Sequence, residues 1–278
     1  MKSLVNKLAI TVFLISWATK SHAQTDSATE KIYHVNIKWE LPAATAGLVF
    51  FSAVGLPKII EHATLSEADL AKLDPYKVNR FDRPVIFNQK ARSNAISSSD
   101  IFLNSSIVSP ILLALDKQIR KDWFPLLGMY LVTHAVNNTI FLGAVSTVRR
   151  VRPLAYNAEL PVEERSGEGR TNSFYSGHVS NAAASTFFIA KVFTDYHHIR
   201  GWKRIGIYTI AAVPPIMVGH FRLQAGRHFR SDVIVGFLVG ATTGIVVPEL
   251  HRVKKKANLT MSPVYSSDGL GVAVRYKF

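Results

Sequence analysis

The sequence predicts an all-α, membrane-embedded helical bundle of about five to six helices, followed by a short C-terminal β-hairpin-like tail. Three observations predict it. Apolar residues fill 48% of the 278 positions and charged residues only 19%. The apolar residues gather in successive runs separated by polar, basic loops. The closing residues, Leu270 to Phe278, alternate instead between apolar and other positions, the period of a strand. This composition argues against a disordered chain. With 33 Lys+Arg against 19 Asp+Glu the net charge is +14. A basic chain this apolar suits a membrane protein with basic loops, or one handling an anionic substrate, better than a nucleic-acid binder. No nucleic acid is expected as a partner. Cysteine is absent, which rules out a disulfide scaffold, cysteine-ligated metal and thiol catalysis.

Residues 1–23 read as a signal peptide. Lys2 and Lys7 give a basic start, Leu8 to Ala18 is almost wholly apolar, and Ser21-His22-Ala23 offers small residues for cleavage after Ala23. Residues 24–100 are expected to be a membrane-associated segment and a periplasmic region. Leu41 to Leu56 is apolar but short of the roughly 20 residues of a bilayer span. Residues 61–100 are polar and irregular, with Asp74-Pro75, Arg83-Pro84 and serines at 97–99.

Residues 101–248 carry the helical core. Ile101 to Leu115 is apolar and again short, while Trp123 to Thr147 is long enough to span. Val179 to Val192 is rich in small residues, with Lys191 near its end. Ile205 to Phe221 can span with an expected kink at Pro214-Pro215, which membrane helices tolerate where neighbours satisfy the freed carbonyls. Val233 to Val247 carries Gly236, Gly240 and Gly244 at four-residue spacing, a pattern that lets helix backbones approach closely. Residues 249–278 are a basic stretch and the tail, where Thr260 to Ser266 would pair with the last strand across a turn at Ser267-Asp268-Gly269.

Three polar islands interrupt the apolar runs: Arg149-Arg150-Val151-Arg152-Pro153, Ser173-Phe174-Tyr175-Ser176-Gly177-His178, and Arg222, His228 and Asp232. Each falls at a helix end, where free N–H groups and the helix dipole favour anions. Arg152 and Arg222 could hold phosphoryl oxygens in forked bonds. Ser176 and the N–H of Gly177 could add donors. His228 and Asp232, four apart, would share a helical face, so that Asp232 fixes the imidazole tautomer and leaves the other nitrogen as nucleophile. His178 could protonate the leaving oxygen. Singly, each motif is as well read as a topology signal, an N-cap or a surface pair.

Together the islands resemble the type-2 phosphatidic acid phosphatase (PAP2) superfamily, which also contains the vanadium-dependent haloperoxidases. The family pattern is Lys-x6-Arg-Pro, Pro-Ser-Gly-His, and Ser-Arg-x5-His-x3-Asp. This chain has Arg152-Pro153, Ser176-Gly177-His178, and Arg222-x5-His228-x3-Asp232. The resemblance implies a lipid phosphatase acting through a phosphohistidine, with His228 as nucleophile, Asp232 orienting it and His178 as general acid. It implies phosphate binding by Arg152, Ser176, Gly177 and Arg222. It implies no cofactor and no metal. The family Lys falls on Val145, its Pro on Tyr175 and its Ser on Phe221, and Arg149 or Arg150 could replace the missing cation. The partners expected are membrane lipids and a lipid phosphate or pyrophosphate: phosphatidic acid, phosphatidylglycerol phosphate, undecaprenyl pyrophosphate or a lipid A phosphate. Two other readings stay open, a non-catalytic lipid-phosphate binding protein and a vanadate-dependent haloperoxidase.

On the side without motifs lie Lys117, Arg120, Lys121, Arg200, Lys203, Arg204, Arg252 and Lys254 to Lys256. The positive-inside rule makes that side cytoplasmic, so the site is expected to face the periplasm from a bacterial inner membrane. Residues 61–100 would then be periplasmic too. A cleaved signal followed by one crossing would contradict this, so Leu41 to Leu56 is expected to be re-entrant or interfacial.

Overall fold

The structure is a computed structural model that describes residues 31–89, 92–253, 258–266 and 269–277. The expected signal peptide, Lys254 to Lys256, the turn residues Ser267 and Asp268, and Phe278 lie outside the described residues. Six long helices make the bundle: α1 (Glu40–His62), α2 (Arg92–Leu115), α3 (Trp123–Thr147), α4 (Gly177–Tyr196), α5 (Gly201–Gln224) and α6 (Arg230–His251). Strands β1 (Asn258–Ser266) and β2 (Gly269–Lys277) pair antiparallel, with Ser266 opposite Gly269 and Asn258 opposite Lys277.

Two helices are longer than their apolar runs. α1 continues past Leu56 through Lys58, Glu61 and His62, with one π-helical turn at Phe51–Gly55. At 23 residues it is long enough to cross a membrane, and the shortness that suggested a re-entrant segment is gone. α2 begins at Arg92, so the serines at 97–99 are helical. They belong because Ala95, Ser99 and Ser106 face inward and small side chains permit close packing. By length and composition α1, α2 and α6 qualify as membrane spans. α3 is not among them: it carries polar His134, Asn137 and Asn138, which turn inward, where Asn181, Ser180 and Ser185 of α4 bond to them. Large apolar side chains such as Ile111, Ile140, Ile210 and Leu238 point outward, the arrangement a lipid environment requires.

α4 is the centre of the bundle, buried at 15 of its 20 positions. α6 lies against it through the three spaced glycines. A Cβ at Gly236 would stand 2.5 Å from the Ser176 carbonyl oxygen and one at Gly244 2.6 Å from that of Ala184, while one at Gly240 would overlap the Ser180 carbonyl. α5 runs unbroken through Pro214 and Pro215.

The helices alternate in direction, so the loops collect at two ends. At one end residues 63–89 pack on residues 148–176. Leu65 bridges Gly167, Arg170 N donates to Ala63 O (2.8 Å), and Arg92 pairs with Glu164 (2.7 Å). All three islands lie here. At the far end Tyr33 bridges Arg252, His251 meets Glu40 (3.1 Å), and buried Lys191 pairs with Asp195 and with Glu249 (2.6 Å). Charges buried in a bundle interior persist only when partnered in this way.

Replacing Gly240 with Ala should therefore push α6 off α4, while Gly143→Ala, where nothing stands within 4 Å of an added Cβ, should be neutral or slightly stabilising. Thermal unfolding in detergent should show a loss of about 1–3 kcal/mol for Gly240→Ala alone.

Candidate active site

The site is built on a short backbone pairing. Arg150 N donates to Thr171 O (2.9 Å), Arg152 N to Arg170 O (2.8 Å) and Ser173 N to Arg150 O (3.0 Å). This lays the first island alongside the second. Ser173, fully buried, then makes two further contacts. Its Oγ donates to Asp232 Oδ2 (2.6 Å), and its carbonyl accepts from His228 Nδ1 (2.7 Å). A carbonyl cannot donate, so Nδ1 carries the proton and Nε2 holds the lone pair.

The expected bond between Asp232 and His228 is not what orients the histidine. α6 starts at Arg230, so His228 precedes the helix and the four-residue spacing does not place the two on one face. Asp232 instead takes Ser173 Oγ, the backbone N–H of Phe229 (2.8 Å) and Arg150. It acts on His228 through Ser173. Burial first, then the charges of Arg152 and Arg222, hold His228 well below the ordinary imidazole range, which keeps the imidazole neutral.

Arg152 and Arg222 both reach this pocket. Arg152 Nε donates to Asn172 Oδ1 (3.0 Å). Burial, then Arg227 and Arg222, hold its guanidinium well below its usual value. Arg222 Nη1 donates to Ser99 Oγ (3.3 Å) and lies 3.8 Å from Asp100. Arg222 Nε and Ser176 Oγ are buried without a hydrogen-bond partner among the described residues, the condition of donors waiting for an anion. Ser176 occupies the N-cap position of α4 without a side-chain capping bond, and Gly177 opens that helix with no room for a side chain, since a Cβ would meet the Phe141 ring at 3.0 Å. His178, in the first turn of α4, has Nε2 at 3.5 Å from Asp100 Oδ1.

Neither arginine proposed as a replacement cation enters the pocket as expected. Arg150 is committed elsewhere. It forks to Asp232 and Ser231 on one side and to Asp82 (2.7 Å) on the other, and its guanidinium stacks 4.4 Å over Phe229. Arg149 lies with Val145 on a cavity of about 490 Å³ between α1 and α3, together with Lys58, His62 and Asn172. No local pattern marks Lys58, Asp82, Ser99 or Asp100, which arrive from distant segments.

Residues 122–256 match the family model of the PAP2 superfamily. This part of the chain belongs to that superfamily. No curated protein matches the sequence. A crystal structure described as the first transmembrane PAP2 type phosphatidylglycerolphosphate phosphatase from Bacillus subtilis is similar at 19% identity, over 74% of this chain and 94% of that one, with a TM-score of 0.41.

Within the PAP2 segment the three departures from the motif have distinct placements. Val145 is buried beside Arg149. Tyr175, in the place of the family Pro, packs edge-on to Phe141 at 5.5 Å. Phe221, in the place of the family Ser, stacks on Phe102 at 5.7 Å and so belongs to the α2–α5 contact. Asp82 and Asp100 lie outside the matched residues. Asp82 accepts from Ser231 N (2.9 Å), Ser231 Oγ (2.7 Å) and Arg150; burial would raise its carboxyl, but Asn79, Ser231 and Arg150 outweigh it and hold it below the usual range.

Arg150 is thus a positioning residue. Arg150→Ala or Asp82→Asn should lower kcat on a lipid phosphate about ten- to a hundredfold, some 1.4–2.7 kcal/mol, with KM little changed and helical circular dichroism retained. An equal rise in KM would place Arg150 on the substrate instead.

Proposed function

We propose that this PAP2 chain hydrolyses a lipid-linked phosphomonoester or pyrophosphate through a phosphohistidine on His228. The observation that carries the reading is the pairing of a tautomer-fixed imidazole with unpartnered donors. His228 Nδ1 is held by Ser173 O, while Ser176 Oγ and Arg222 Nε have no partner among the described residues. Arg152, Arg222, Ser176 and the Gly177 N–H bind the phosphoryl oxygens and stabilise the charge that develops on them. His228 Nε2 forms a bond to phosphorus as the P–O bond to the lipid breaks, and protonated His178 gives its proton to the departing oxygen. Water then attacks the phosphohistidine, His178 takes the water proton, inorganic phosphate leaves and His228 is restored. Asp100, 3.5 Å from His178 Nε2, opposes the burial and the Arg222 charge that disfavour the protonated form. No metal enters either step.

The cavity between α1 and α3 favours a lipid substrate. Phe50, Val54 and Leu142 give it an apolar wall, with Lys58, Arg149 and Asn172 at the site end. Phe50 is 56% exposed on the outer surface of the bundle, so the cavity reaches the lipid-facing side. Asn172 connects it to Arg152. A second reading, a lipid-phosphate binding protein without turnover, is favoured by Val145 in the place of the family Lys.

With excess chelator present, purified protein in detergent should release phosphate from a lipid phosphate. His228→Ala should abolish that release, a loss of at least about a thousandfold. Binding retained without release from any lipid phosphate would establish the binding protein.

We propose further that the site faces the periplasm from a bacterial inner membrane. The far end gathers Lys117, Arg120, Lys121, Arg200, Lys203, Arg204 and Arg252, away from the three islands. At the site end Lys72 is paired by Asp69, Arg83 by the carbonyls of Tyr76 and Val78, and Arg92 by Glu164. With α1 crossing from end to end, this orientation keeps residues 31–39 on the cytoplasmic side. It is therefore incompatible with cleavage after Ala23 by a periplasmic peptidase, and the two sequence expectations cannot hold together. The chain lacks cysteine, so Arg80→Cys provides a single label site on the motif side. A membrane-impermeant thiol reagent should label it in intact spheroplasts, and the purified chain should begin at Met1. Labelling only after lysis would invert the orientation.

A further inference from the structure

Beside the catalytic pocket lies a second cluster of arginines that the hydrolysis of one phosphate does not use. Arg92 and Ile96 of α2, Leu154 and Arg170 of the second long loop, Glu164, and Arg227 line a cavity of about 410 Å³. The cavity adjoins the site by three routes. Arg227 immediately precedes His228. Arg170 O accepts from Arg152 N (2.8 Å), and Gly226 O accepts from Leu154 N (3.0 Å). Along α2, Arg92 and Ile96 share a face with Ser99, which bonds Arg222. Seven residues of helix are about 10 Å, within the combined reach of an arginine side chain and a diphosphate.

Two of these guanidiniums are left with donors to spare. Arg92 Nε and Arg227 Nε are buried with no hydrogen-bond partner among the described residues. Burial, then the neighbouring charges of Arg170 and Arg92, lowers Arg227, and burial followed by Arg92 lowers Arg170. Arg92, Arg152, Arg170, Arg222 and Arg227 are opposed nearby by Asp100 and Glu164, both about half exposed. The surplus is therefore about three positive charges. A phosphomonoester carries about −1.5 to −2 at neutral pH, and a diphosphate ester roughly one charge more. Such a surplus repels itself in a partly desolvated pocket, and an anion of matching charge relieves it.

Resting on the phosphatase reading above, we propose that Arg92, Arg170 and Arg227 form a subsite for a second phosphoryl group, so that the preferred substrate is a diphosphate ester. The terminal phosphoryl group occupies Arg152, Arg222 and Ser176 and is transferred to His228. The bridging oxygen departs with the proton of His178, and the remaining phosphate stays on the lipid, with Arg92, Arg170 and Arg227 holding it during transfer.

The subsite is tested on full-length protein in detergent with two non-reacting probes, methylenediphosphonate and inorganic phosphate, by calorimetric titration. The parent should bind the diphosphonate at least about tenfold more tightly. The double variant Arg92→Gln/Arg170→Gln should bind both within about threefold of each other, with its affinity for phosphate unchanged, which also shows that it folds. Equal affinities in the parent, or a preference that survives in the double variant, would overturn the subsite. Kinetics form a separate arm, comparing a diphosphate and a monophosphate on the same lipid and inorganic pyrophosphate. A higher kcat/KM on the lipid diphosphate, lost in the double variant, supports the subsite and its lipid source. Pyrophosphate hydrolysed as well as the lipid supports the subsite for a soluble diphosphate. A diphosphonate preference without hydrolysis of any substrate supports the subsite and refutes the phosphatase reading instead.

Discussion

Asp232 is a carboxylate with no exposed surface, in the first turn of α6, and the site is arranged around keeping it satisfied. An unpaired charge there would cost several kcal/mol. Its partners come from separate segments: the Phe229 N–H of its own helix start, the Ser173 hydroxyl of the second island and the Arg150 guanidinium of the first. Its backbone carbonyl also accepts from Ser176 N (3.0 Å). Meeting these demands fixes Ser173, and Ser173 in turn fixes the His228 ring. The glycine contact supplies the needed proximity, because Gly236 lets α6 settle against the Ser176 carbonyl. Helix packing, helix capping and the orientation of the His228 ring are one coupled arrangement.

The bundle was legible where hydrophobic pattern suffices. The runs at 123–147, 205–221 and 233–247 became helices with modest extensions, and the spaced glycines do bring two backbones together. Patterning failed at polar helix ends. Lys58, Glu61 and His62 extend α1 because at the end of a span a charged side chain can reach the polar boundary, and the serines of α2 extend it because small residues pack. The structure brings His228, His178, Arg152, Arg222, Ser176 and Gly177 of the islands to one end of the bundle. The role given to Asp232 rested on helical spacing across a segment that is not helical. Asp82 and Asp100 were invisible, since their partners Ser231 and His178 lie 149 and 78 residues away and no local pattern marks such contacts.

Basicity on this chain has several physical origins. Arg150 is spent on two buried carboxylates, Asp82 and Asp232. Lys191, in the far interior, is balanced by Asp195 and Glu249 and ties α4 to α6, while the Tyr33 hydroxyl donates to Asp195 (2.7 Å) and holds the first described residues there. Arg152 and Arg222 stand near Arg227, with Asp100 3.8 Å from Arg222, a local surplus of positive charge. A net charge of +14 is therefore a sum of structural, topological and ligand-directed contributions, and only the last bears on chemistry.

The claim that His228, held through Ser173, is the nucleophile is tested most directly by trapping the intermediate. A lipid phosphate labelled in its terminal phosphoryl group would be mixed with the protein and quenched within milliseconds under alkaline conditions, which preserve phosphohistidine, and the labelled peptide mapped by mass spectrometry. The account predicts the phosphoryl group on His228, reduced in amount when Ser173 is replaced by Pro, which cannot keep the same backbone pairing. Label on another residue, or steady turnover with no phosphorylated protein at any quench time, would contradict it.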